Sequence, residues 1–104
     1  PGIPYQEKNE LNKIFGCASL AWVIVEKKNS TYNISIDSDT FIVKGLLSIL
    51  KYIIDDSTIK QIDTLDIKSL LYEIGLDNSI TSQRTNGFLS ALNKIKEEVS
   101  KLND

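Results

Sequence analysis

The chemistry open to this chain centres on the thiol of Cys17, the single cysteine among 104 residues. A thiol attacks as its thiolate, and the charges and exposure around it set how much thiolate is present. Cys17 lies in the stretch Gly16-Cys17-Ala18-Ser19-Leu20-Ala21-Trp22. Gly16 offers the backbone freedom of a loop tip from which sulfur could be presented or withdrawn. A free cysteine can equally pack as a small hydrophobe, and position alone leaves both readings open. Arg84, the only arginine, is planar and permanently charged and could hold a carboxylate firmly; its plainer reading is a solvated residue near a helix start. Asp37 and Asp39 divide in the same way between a site and ordinary helix-capping acids.

Composition removes most other classes. There is no histidine, which excludes Cys-His and Ser-His-Asp catalysis and histidine-rich metal sites, so a hydrolase is not expected. One cysteine cannot form an internal disulfide or by itself ligate an iron-sulfur cluster or structural zinc, and the aspartates lack calcium-loop spacing. The five glycines, at 2, 16, 45, 75 and 87, are scattered and make no phosphate loop. No cofactor and no metal are therefore expected. A net charge of −2 argues against nucleic-acid binding. No apolar run approaches the roughly 18 residues of a membrane span, and a soluble product in a reducing compartment is expected, either cytoplasm or a plastid-type stroma.

The elements that would position these residues follow from periodicity. Residues 1–10 read as an extended lead-in, and 12–15 as a short strand arriving at the cysteine loop. Residues 20–25 are continuously apolar, as for a strand covered on both faces, with Glu26 and Lys27 ending the run. Lys28-Asn29-Ser30-Thr31 suits a hairpin turn, after which Tyr32, Ile34 and Ile36 alternate with Asn33, Ser35 and Asp37. Residues 41–54 are apolar except for a stripe of Lys44, Ser48 and Lys51, which predicts a core helix lying across the sheet, with Gly45 allowing close approach of another backbone. Thr58 to Gln61 reads as a capping box, and Asp66 as the cap of a helix stopped at Gly75-Leu76. Thr81 or Ser82 opens a last helix bearing Phe88, Leu92, Ile95, Val99 and Leu102 on one face, its end at 100–104 frayed. Strands followed by helices predict a single α+β domain over 1–104, with a small antiparallel sheet of about three strands and helices on one face.

Three patches together resemble the SufE family of sulfur-acceptor proteins. They are Gly16-Cys17-Ala18-Ser19 with Trp22, Asp37-Ser38-Asp39 running into Ile42-Val43-Lys44-Gly45-Leu46, and Arg84-Thr85-Asn86-Gly87. The resemblance implies a carrier with no cofactor of its own, on a fold like that of IscU-type scaffolds. Its cysteine takes sulfur from the persulfide of a SufS-like cysteine desulfurase, stimulates that enzyme, and passes the sulfur to an iron-sulfur scaffold such as SufBCD. Carried over, Cys17 is the acceptor thiol. Asp39 matches an acid that helps keep the cysteine loop at rest, and Arg84 an arginine at the desulfurase contact. Gly16 is then the hinge on which the loop swings from the apolar side of the sheet, with Ser19 part of that loop. Ala18 and Leu20 stand where the family commonly has glutamine. The family's helical N-terminal stretch precedes the region matched, so an N-terminally truncated domain is expected. The rival readings are an IscU-like scaffold, disfavoured by the cysteine count, and an interaction module with a structural cysteine.

Overall fold

The computed structural model describes residues 2–16 and 19–103. Two eight-residue strands, β1 (Ala21–Lys28) and β2 (Thr31–Ser38), form an antiparallel hairpin. The turn between them places Asn29 at φ 59°, a left-handed conformation that asparagine tolerates. The register pairs Val23 with Ile36 and Val25 with Ile34, so these side chains share one face of the pleat. Helices cover that face: α1 (Phe41–Ile54) packs on β2 and α4 (Ser82–Leu102) on β1. The short helices α2 (Ile59–Asp63) and α3 (Ile67–Glu73) lean on α4. The α+β architecture with helices on one face is thus the one expected.

The local stop and start signals hold. Thr58 and Gln61 form both halves of the capping box, and Asp66 accepts from the Ser69 amide at 3.0 Å. Past α3, Gly75 adopts φ +77°, its amide donates to the Tyr72 carbonyl, and the Leu76 amide donates to the Leu71 carbonyl, which closes a Schellman turn. Threonines cap the two long helices, Thr40 on α1 and Thr81 on α4.

Five expectations are corrected. The segment at 12–15 is no strand: it makes a single bridge, Lys13 to Trp22. Asn12 folds back instead, its side chain donating to the Glu7 carbonyl at 2.9 Å, and this local bonding competes with a ladder. Strand β1 runs on through Lys28, because Glu26 and Lys28 pair across to Asn33 and Thr31 on a solvated face; Leu20 lies outside it and is exposed. Helix α1 is a core helix on one side only. It buries Leu47, Leu50 and Ile54 but turns Phe41 and Tyr52 outward, at 92% and 87% exposure, since a two-stranded hairpin can cover only one face of it. Gly45 approaches no other backbone, and a methyl group built there meets nothing within 4 Å. Finally, α4 stays helical to Leu102, and the Tyr32 hydroxyl donates to Asn103 Oδ1 at 3.3 Å.

The outer face of the hairpin is covered at one end. Residues 2–8, including a 3-10 turn over Tyr5–Glu7, lie against it and bury Ile3. Asp37, on the polar side of the alternation, is 4% exposed beneath this segment.

Candidate functional site

A groove of about 350 Å³ opens between the first turns of α1 and α4. Its floor is apolar, with Ile14, Ala21, Leu47 and Phe88 shared with the core. Its polar rim comes from Ser19 on the loop, from the two capping threonines and from Arg84. Thr40 accepts from the Val43 amide at 3.3 Å and Thr81 from the Arg84 amide at 3.2 Å. Both long helices therefore point their positive ends into the groove, and Arg84 adds a full charge in the first turn of α4, a region that favours anions.

The described residues on either side of Cys17 and Ala18 form an incoming and an outgoing arm. At its base the Ile14 amide donates to the Ala21 carbonyl at 2.8 Å, and the Val23 amide to the Asn12 carbonyl at 2.9 Å. On the incoming arm Gly16 sits at φ +86°, and a Cβ there would lie 2.6 Å from Ser90 Oγ on α4. Just before it, the Lys13 ammonium stands 5.3 Å over the Phe15 ring. On the outgoing arm the Leu20 carbonyl accepts twice, from Ser38 Oγ at 2.7 Å and from the Asp39 amide at 3.1 Å.

Of the residues singled out by sequence, Cys17 lies outside the described residues. The groove brings Ser19 and Arg84 together, and Gly16 borders the same loop on the α4 side. Asp39 is exposed beside the rim residue Thr40, and its backbone amide donates to the Leu20 carbonyl of the outgoing arm. Among the described residues no group of three or more carboxylate or other ligating side chains converges as a metal cradle.

Ser90, which touches the incoming arm, was missed and carries no sequence signal beyond small size, and Ser38, which touches the outgoing arm, was read only as part of the Asp37-Ser38-Asp39 patch. Asp37, weighed between a site residue and a helix-capping acid, is instead the centre of a buried cluster. Its carboxylate pairs with Lys8 at 3.1 Å and Lys44 at 3.2 Å and accepts from the amides of Ile3 and Ser38. Burial pushes the Asp37 carboxyl up, but the two ammonium groups and two amides outweigh it and hold its pKa at about 2. Gly2 is required there, because a Cβ would collide with Asp37 Oδ2. Lys8 also lies 5.5 Å over the Trp22 ring, tying residues 2–8 to β1 as well as β2.

Over residues 1–99 the chain matches the family described as SufE, Fe-S metabolism associated domain. The chain belongs to the SufE family. Similar relatives include an uncharacterized SufE-like protein of Rhizobium etli, 31% identical over 102 residues, which span 94% of this chain and 69% of that protein. Another, from Rhizobium meliloti, is 30% identical over 102 residues, 94% of this chain and 73% of its own length. A SufE domain places the chain in Fe-S metabolism. No helix among the described residues is long and apolar enough to cross a membrane.

Proposed function

We propose that this SufE-family chain is a sulfur carrier whose Cys17 accepts sulfur from a cysteine desulfurase and delivers it for iron-sulfur cluster assembly. The observation that supports this reading is the groove, where Ser19, two residues after Cys17, meets the capped ends of two helices and Arg84. In the transfer, the Cys17 thiolate attacks the terminal sulfur of the desulfurase persulfide. A new S–S bond forms on Cys17, the S–S bond on the desulfurase breaks, and the desulfurase cysteine departs as thiolate. The exchange is redox-neutral and needs no cofactor on this chain. The attacking species is a thiolate, and the positive helix ends with Arg84 favour negative charge at the groove.

Docking must bring the two sulfurs together, and the surface around the groove suits a partner. Phe15, Leu20, Phe41, Ile42 and Leu89 are exposed apolar residues that lie in or next to groove and loop positions in the chain, where water contact is unfavourable until covered. In this reading Gly16 is the hinge, Ser19 and Arg84 meet the desulfurase, and Asp39 helps hold the loop at rest. The chain stimulates the desulfurase by removing its product sulfur and completes no reaction alone. A SufBCD-like scaffold is the onward acceptor.

The test is intact mass after incubation with a SufS-like desulfurase and cysteine. Cys17 is expected to gain sulfur, and Cys17→Ser to gain none and to lose desulfurase stimulation while keeping its helical circular dichroism. An unaltered wild-type mass with sulfur left on the desulfurase would refute the carrier role.

A further inference from the structure

Helix α1 presents a second side to solvent. Leu47, Leu50 and Ile54 face the core. On the opposite side Phe41, Gly45, Ser48 and Tyr52 are all exposed and recur at spacings of four, three and four, which sets them in one line along the helix. The line ends in two aromatic rings, 92% and 87% exposed, with two small residues between them. It is also symmetric about its own midpoint: Phe41 and Tyr52 lie equally far from the point between Leu46 and Leu47, and so do Gly45 and Ser48. We infer that this face packs against the same face of a second copy, antiparallel and about a two-fold axis at that midpoint. Phe41 of each copy then meets Tyr52 of the other, and Gly45 lies opposite Ser48, the reciprocal contacts that an isologous interface requires.

Space, charge and area agree with that occupant. A methyl group built at Gly45 meets nothing within 4 Å, so the backbone is open to a neighbouring helix there, and small residues at a crossing let two axes approach closely. Lys44 and Lys51, the charged residues of α1, are each engaged by a carboxylate, at 3.2 Å from Asp37 and 2.7 Å from Asp55, so pairing two copies brings no bare ammonium groups together. An aromatic side chain buries about 150–250 Å², and the rings of two copies, exposed as they are, supply roughly 500–900 Å². With Ile42, also exposed on the flank, the total comes near the ~1,000 Å² at which a specific interface begins. A dimer of this size is weak and dissociates on dilution. The self-association stands apart from the carrier reading, and one consequence rests on that reading: a paired chain cannot offer Phe41 to a desulfurase.

The experiment is sedimentation equilibrium of the isolated chain from about 5 µM to about 1 mM, with circular dichroism to verify folding. The average mass is expected to rise from 11.7 kDa toward twice that value, with half-association at roughly 10–100 µM. Phe41→Glu and Tyr52→Lys alter exposed positions and suit the helix dipole, so both variants should fold. Each is expected to weaken association at least about tenfold through loss of an aromatic anchor. An equimolar mixture of the two variants should associate at least about tenfold more tightly than either alone. The antiparallel register sets the introduced carboxylate of one chain against the introduced ammonium of the other and keeps one Phe41–Tyr52 pair, whereas a parallel register would give no such rescue. A chain that stays monomeric up to about 1 mM, an association that neither substitution weakens, or a mixture no tighter than its components would overturn the assignment. Because no desulfurase is present, this outcome is separate from the mass test of sulfur transfer.

Discussion

Two segments fold back onto the same hairpin and are fastened in opposite ways. Residues 2–8 lie on its outer face and are locked by a buried carboxylate that satisfies two ammonium groups and two backbone amides. The described arms of the cysteine loop lie at the groove end, where the Leu20 carbonyl accepts from Ser38 and Asp39 and Gly16 packs against Ser90. The difference is one of charge. Separating the Asp37 cluster exposes a charge pair and orphans buried amides together, while the Gly16–Ser90 contact is one of close packing with no ionised group. The hairpin thus carries a charge-locked segment on its outer face and an uncharged, close-packed contact at its groove end.

That contrast can be broken at its strongest point first. Asp37→Ala removes the shared acceptor and strands Lys8, Lys44 and two amides, and is expected to cost about 2–3 kcal/mol by urea denaturation. The same residue predicts an acid response. Its pKa falls from 3.8 to about 2 on folding, so its contribution is complete above pH 3.8 and is lost as pH falls through 3.8 toward 2. The loss amounts to about 2 kcal/mol at 1.36 kcal/mol per unit. Asp37→Asn should show a correspondingly flatter stability curve between pH 4 and about 2 than the native chain.

Surface changes on the groove side test function without stability. Phe41→Ser removes a ring that is 92% exposed, so the melting temperature should not fall. The desulfurase concentration needed for half-maximal stimulation should rise about tenfold, as for truncation of an aromatic anchor worth about 1.4 kcal/mol. An unchanged value would remove Phe41 from the docking face. The smallest effect is expected at Gly45, where a methyl group meets nothing within 4 Å. Gly45→Ala should stabilise the chain by about 1 kcal/mol through helix propensity alone, with Cys17 alkylation unaltered. If alkylation changes as well, helix α1 takes part in holding the loop.

What the sequence determined by itself was local. Alternation in 32–37, the capping box at Thr58, the Gly75-Leu76 stop and the bounds of α1 depend on neighbours within a few residues, and all are present in the structure. The three family patches were readable for the same reason, each being a short run. Tertiary structure decided the rest. Only packing shows that a two-stranded hairpin leaves Phe41 and Tyr52 outside, that residues 2–8 return to bury Asp37, and that Ser90 meets Gly16 across more than seventy positions. A polar residue in a strand looks solvated until a distant segment covers it, and a serine on a helix looks unremarkable until a backbone comes to rest on it. Contacts of that kind depend on where the whole chain goes, which no window of neighbouring residues contains.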